Sequence, residues 1–365
     1  MNNIQLITTI GQITAVFMFF MGVLSLAGLL TWVERKQSAV MQDRIGANRA
    51  KVLGLRLFGL FHIIADALKM LSKENFIPKS ADKFLYQLAP VVSVFFALIT
   101  FAAIPFGDTL VIGQYHIPLQ GIDINVGLLF IFSMLSMGVY GVILGGFSSQ
   151  SNYSFLGGLR ASSQLLSYEI AIGASIVGLV MVYGTLNLNE MVYAQGEYLW
   201  GWLPKWGFVV QPAAFFIFMT AAIAETKRIP FDLPEGESEI VGYFLEYSGM
   251  RFGLFFLTDF LETILVACLA ATLFFGGWQV PGLFDDGFRA LDGTPVWALP
   301  SVAVTGLRVL AFGAKVLFFC WFLMTVRWTL PRFRYDQLMR LGWQMLFPLS
   351  ILNILLTGIV ILMLR

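Results

Sequence analysis

Ala224-Glu-Thr-Lys-Arg-Ile-Pro-Phe-Asp-Leu-Pro-Glu-Gly-Glu-Ser-Glu239, running on to Glu246-Tyr-Ser-Gly249, lies between two long apolar segments. It carries six carboxylates: Glu225, Asp232, Glu235, Glu237, Glu239 and Glu246. A charge placed in a bilayer core costs about 3 kcal/mol or more, so such groups line a cavity or a proton path. Pro230 and Pro234 forbid one continuous helix through the stretch. A new helix is expected to start near Pro234, a residue suited to a first helical position. Glu235, Glu239 and Glu246 would then share a face, with Glu237 pointing away. Acids near a helix start favour the macrodipole, which accounts for Glu235 and Glu237 but not for Glu225 or Glu246. Crowded at low dielectric, these carboxyls are expected to titrate as a coupled group.

The flanking segments set the fold. Residues are 58% hydrophobic and 12% charged, with a mean hydropathy of +0.78. A soluble domain carries about 25% charged residues. No short alternating segments of a membrane barrel are visible. The chain therefore reads as all-α, a polytopic membrane protein of about eight transmembrane helices plus a short amphipathic helix. Since roughly 20 apolar residues cross the core, the spans fall near 8–33, 85–106, 122–147, 164–185, 208–224, 252–275, 301–326 and 341–364. Residues 1–365 form a single membrane domain on this reading. No cleavable leader is apparent, so the first span is expected to act as its own signal.

Lys and Arg concentrate in alternate loops, 34–84, 148–163, 225–251 and 327–340. The intervening loops hold only Lys205 and Arg289. The positive-inside rule makes the basic loops cytoplasmic and both termini outward-facing. The outer segment 186–207, with Tyr193, Tyr198, Trp200, Trp202 and Trp206, reads as an interfacial aromatic belt.

Composition also excludes chemistry. Cys268 and Cys320 are the only cysteines, and an iron–sulfur cluster needs about four thiolates. His62 and His116, the only histidines, lie in loops on opposite sides, which rules out a transmembrane bis-histidine haem. Gly145-Gly146 and Gly157-Gly158 lack the Lys-Ser/Thr of a phosphate-binding loop. Nothing points to nucleic acid. Any metal or flavin would belong to a partner.

Further polar positions stand out. Segment 56–73 places Leu57, Leu60, Phe61, Ile64, Leu68 and Leu71 on one helical face and His62, Asp66, Lys69 and Lys73 on the other. It reads either as an interfacial helix with a solvated face or as the lip of a cavity. Glu169 lies within the fourth span. Asp259 and Glu262, three residues apart, share a face of the sixth. On the seventh, Arg308 is expected to snorkel outward. Lys315, about mid-span, needs a carboxylate or water, with Asp259, Glu262 or Glu169 as candidate partners; a structural ion pair is the plainer reading. Glycines 11, 22, 28, 138, 141 and 145 read as helix-packing positions.

Four blocks carry a resemblance over nearly the whole chain. The first is Glu34-Arg35-Lys36, Gln42-x-Arg44-x-Gly46-x-Asn48-Arg49 and Ala65-Asp66-x-x-Lys69. The second runs from Ser151-x-Tyr153 through Leu159-Arg160-Ala161 to Ser167-Tyr168-Glu169. The third, the most specific, is Ala224-Glu-Thr-x-Arg-x-Pro-Phe-Asp-Leu-Pro-Glu-Gly-Glu-x-Glu239 with Glu246-Tyr-Ser-Gly-Met250. The last is Arg327-x-x-x-Pro331-Arg-x-Arg-Tyr-Asp-Gln-Leu-Met339. Together they resemble the H-type membrane subunits of respiratory complex I, the proton-translocating NADH:quinone oxidoreductase.

The resemblance implies a quinone chamber shared with the peripheral arm, near Glu34, Arg35, Asp66, Lys69, Arg228, Phe231, Asp232 and Arg327. It implies an acidic proton path through Glu169, Glu225, Glu235, Glu237, Glu239 and Glu246, to which Asp259, Glu262 and Lys315 are added from the reading of the spans. Quinone is then substrate, and no cofactor is bound by this chain. FMN and iron–sulfur clusters would sit in peripheral-arm partners. Small membrane subunits, antiporter-like pump subunits and lipid complete the implied surroundings, in the inner membrane of a bacterium. Ala47, His62, a short insertion after Asn48, Phe147 and Asp259 depart from the family pattern. A membrane-hydrogenase relative and a free-standing cation transporter are the alternative readings; a transporter would work alone, whereas this chain should need partners.

Overall fold

A computed structural model describes residues 3–52, 54–199, 202–234, 236, 240, 242–289 and 295–364. Twelve α-helices follow in chain order among them: α1 (Asn3–Met41), α2 (Phe61–Ser72), α3 (Lys83–Ile99), α4 (Gly127–Ser148), α5 (Asn152–Tyr183), α6 (Leu188–Gln195), α7 (Gly207–Val210), α8 (Pro212–Glu225), α9 (Gly249–Phe274), α10 (Ser301–Thr329), α11 (Tyr335–Arg340) and α12 (Phe347–Leu364). The described strands are two to four residues long and pair antiparallel in small loop ribbons. Seven helical segments are long and apolar enough to cross a membrane, and α8 is a shorter apolar helix. This is the all-α, multi-pass membrane architecture expected from the sequence.

Several helices outrun their apolar cores. α1 continues through Glu34-Arg35-Lys36-Gln37, all good helix formers, before it stops. Its end is a left-handed cap: Asp43 has φ 50°, and the Arg44 N–H donates to Ala39 O at 2.9 Å. α5 likewise begins twelve residues before the expected fourth span. Polar residues carried on these extensions are held rigidly rather than left in loops. The fifth span is broken instead of continuous. Gln211 takes a non-helical conformation between α7 and α8, where Pro212 can only begin a new helix. Between α11 and α12 the helix widens into a π turn over Leu341–Leu346. Pro348 follows, and the wider turn accommodates its missing N–H.

α9 is the central helix. It packs on α1, α2, α3, α6, α7, α8 and α10 and is buried almost all round beyond Thr258. A helix apolar on every face must be surrounded in this way. α1 and α12 keep wide apolar faces exposed, as lipid or partner contact requires.

Small residues permit the closest crossings. A Cβ on Gly141 would collide with Ser93 Oγ, and one on Gly145 would meet the Phe255 ring at 3.0 Å. Gly22 has nothing within 4 Å and is not a packing position, contrary to expectation. The helix start expected near Pro234 falls largely outside the described residues; further on, residues 243–246 form a turn. Glu235, Glu237 and Glu239 lie outside the described residues.

Candidate functional site

Two features meet at α9: a cavity on one side and a run of buried charges behind it. The cavity, about 380 Å³, opens between α1, α2 and α9 and is lined by Gly28, Arg35, Asp66, Met70, Gly253 and Phe260 among others. Gly253 lets Met70 of α2 lie close against α9, because a Cβ there would meet Met70 Sδ at 2.7 Å. Ile64, Leu68 and Leu71 of α2 are exposed, so the apolar face predicted for segment 56–73 points outward. On the polar face Asp66 pairs with Arg35 at 2.6 Å and with Lys69 at 3.3 Å. His62 does not join the cavity. Its Nε2 accepts from the N–H groups of Arg49 and Ala50, both at 3.2 Å, and so pins the loop after α1.

One residue before Arg35, Glu34 is buried and receives two guanidinium groups. Arg327 from the end of α10 pairs with it, and Arg228 approaches at 3.5 Å. Arg228 also stacks over the Phe260 ring at 4.1 Å, which offsets some of its desolvation. Arg228, Arg327 and Asp259 share a cavity of about 30 Å³, enough for a water.

Asp259 and Glu262 lie one turn apart on α9, as expected, but their partner is Lys227 at 3.4 and 3.3 Å. Beyond Glu262 a cavity of about 20 Å³ brings it together with Glu225 and Glu169. Glu169 accepts a hydrogen bond from Ser136. Carboxyls from α5, α8 and α9, up to 93 positions apart in sequence, thus surround one water-sized space.

The connection after α8 is bolted to its neighbours. Gln164 Nε2 donates to Ala224 O at 2.7 Å and to Phe231 O at 2.9 Å. Phe231 stacks on Phe333 at 5.3 Å, and the Phe333 N–H donates to Pro230 O at 3.0 Å. Arg332 pairs with Asp232 at 2.9 Å. Burial still pushes the Asp232 carboxyl up to about 6, although Arg332 and Arg327 pull the other way. Glu246 is half-buried in a turn before α9, where its backbone carbonyl accepts from the Tyr86 hydroxyl at 2.6 Å. It does not line the Glu169 cavity.

Lys315 stands apart. Its ammonium donates to the carbonyls of Phe275, Gly277 and Gln279 at 2.7, 2.8 and 2.7 Å, in place of the expected carboxylate partner. The reason is axial distance: Asp259 is sixteen residues before Phe275 on α9, roughly 24 Å along a helix. Arg308 reaches outward to loop acids, as expected. It is buried, paired with Asp108 and, at 2.9 Å, with Asp285, and it stacks over Trp278 at 5.0 Å.

Lys227 and Ser136 join the site without being singled out by the sequence, and Gln164 and Arg332, which stand in the motif blocks, join it without a role assigned to them there. Lys227 stands at a position the quoted motif leaves open, yet a lysine set among acids at the end of an apolar helix is itself a functional signal. Among the described residues, no group of three or more His, Cys, Asp or Glu is arranged to hold a metal ion.

The fold and these groups together define a class: a multi-pass helical membrane protein with an apolar side cavity and a buried chain of ionisable residues. A family profile described as NADH dehydrogenase matches residues 13–358. The first H-type NADH-quinone oxidoreductase subunit of Cytophaga hutchinsonii is 44% identical over 352 residues, 96% of each chain. The H-type subunit of Thermomicrobium roseum is 46% identical over 92% of each chain, and the first of Geobacter metallireducens 45% over 97% of each. The chain belongs to the family of H-type membrane subunits of NADH-quinone oxidoreductase.

Proposed function

We propose that this chain, a membrane subunit of NADH:quinone oxidoreductase, forms the membrane-side wall of a quinone chamber and carries part of a proton path leading away from it. One observation carries the reading. From Glu34, the sequence neighbour of Arg35 at the mouth, ion pairs and water-sized cavities follow one another through Arg228 and Arg327 to Asp259, Lys227 and Glu262, and on to Glu225 and Glu169. Water and titratable groups in alternation are what proton transfer needs. The mouth suits a quinone. At about 380 Å³ it has the size of a small-molecule site, apolar with a few polar groups at one end. An isoprenoid tail would lie against α2 and α9, and Arg35 and Asp66 would meet the headgroup as it passes inward.

Phe231 and Asp232 stand behind Arg327 and Arg332 and would shape the inner end of the passage. Glu235, Glu237, Glu239 and Glu246 are assigned to the path by family resemblance. Lys315 has no place in it, being engaged with carbonyls. FMN and iron–sulfur clusters belong to peripheral-arm partners that dock on the basic loops, and antiporter-like subunits receive the protons. The loop charges support a cytoplasmic side for 34–84, 148–163, 225–251 and 327–340 and outward termini, in a bacterial inner membrane.

Two experiments test this. A C-terminal affinity tag on the chain should recover a complex that reduces quinone with NADH; hydrogen-driven reduction would place the chain in a membrane hydrogenase instead. A quinone with a photoreactive tail should label α2 and the first turns of α9. Labelling confined to other helices would remove the mouth from the reading.

A further inference from the structure

We propose that Lys227 is a proton relay between Asp259 and Glu262; the inference rests on the acidic path described above. α8 ends where Lys227 adopts a left-handed conformation, φ 55°, usually left to glycine. That conformation costs a residue with a Cβ about 1–2 kcal/mol. The side chain it carries is only 1% exposed, and its ammonium meets two carboxylates one turn apart on α9.

Those carboxylates face different spaces. Asp259 lines the cavity it shares with Arg228 and Arg327, on the side of the mouth. Glu262 lines the cavity it shares with Glu225 and Glu169, on the far side. Lys227 therefore stands at the join between two water-sized compartments. Its contacts with the two acids, 3.4 and 3.3 Å, are nearly equal, so the ammonium is placed to exchange with either.

The neighbouring guanidinium groups of Arg228 and Arg327 cannot release a proton, whereas a desolvated lysine can. The step balances simply. The Lys227 ammonium gives a proton to the Glu262 carboxylate and becomes a neutral amine. That amine takes the proton of a protonated Asp259. One proton has moved from Asp259 to Glu262, and the lysine is an ammonium again. A purely structural lysine would hold the two carboxylates without exchanging protons, and arginine would do that equally well.

The test uses the whole complex in liposomes, with its content set by NADH oxidation with a soluble artificial acceptor. K227R keeps the charge but cannot exchange it; K227H can. Per complex assembled, K227R should lower quinone-linked turnover and proton pumping at least about tenfold, the scale of a lost acid–base group. K227H should recover most of both. Wild-type rates in K227R, or equal losses in K227R and K227H, would overturn the relay. E169Q separates this from the path itself. If E169Q pumps normally, the acidic path is wrong; if E169Q is impaired while K227R is not, the path stands and the relay falls.

Discussion

Arg35 and Asp66 form an ion pair at 2.6 Å that ties the end of α1 to α2 across the mouth of the side cavity. The Arg35 side chain is 43% exposed, so the pair adds little to stability, in the range of about 0–1 kcal/mol. Its consequence is positional: it sets both charges on the lining of the cavity.

Arg35→Ala should therefore raise the KM for quinone several-fold while leaving the melting temperature of the complex nearly unchanged. Steady-state kinetics with a short-tail and a long-tail quinone would check this. An unchanged KM for both would remove Arg35 from the passage.

Glu225 stands at the end of α8 on the cavity it shares with Glu169 and Glu262. Glu225→Gln keeps shape and removes the titrating group. Assembly should be preserved, and quinone-coupled turnover and pumping should fall by about tenfold or more. Normal pumping in this variant would argue against a path through α8.

Asp232 has a folded-state pKa of about 6, raised from 3.8 mainly by burial. Between those values the folded chain binds the proton more tightly than the unfolded one, so stability falls as pH rises through the window. The slope contributed is at most about 1.4 kcal/mol per pH unit. Denaturation of the purified complex across that window should show this loss, and Asp232→Asn should flatten it. An identical slope in the variant would mean that another group carries it.

Lys315→Met should behave differently from any change along the path. It strips three carbonyls of their donor, at about 1–3 kcal/mol for each buried acceptor left unsatisfied. The amount of assembled complex should drop sharply, and the complexes that do form should turn over and pump at the wild-type rate. A full complement of complexes with impaired pumping would return Lys315 to the proton path.

The division between what is legible in sequence and what is not follows particular residues. Asp259 and Glu262 fall on one face because their spacing on a helix admits nothing else. The exposed stripe of α2 and its polar Asp66 face follow from the same periodicity. The break of the fifth span at Gln211 escapes such reasoning, since it depends on how neighbours hold backbone that proline has freed. The partner of Lys315 escapes it too, because a mid-span position on one helix does not tell which level of the next helix lies beside it.

The amino-acid order by itself determined an all-α membrane chain, its apolar spans, the charged loops and the family to which it belongs. These are local properties: hydropathy over about 20 residues, helical periodicity and contiguous motifs. Only the tertiary structure decided which charges meet. Lys227 joins Asp259 and Glu262, Glu34 gathers Arg228 and Arg327, and Glu169 comes beside Glu225. Each of these contacts spans tens to hundreds of residues of chain. Each exists because burying a charge is costly unless a partner or water is brought to it, and packing around α9 supplies that partner.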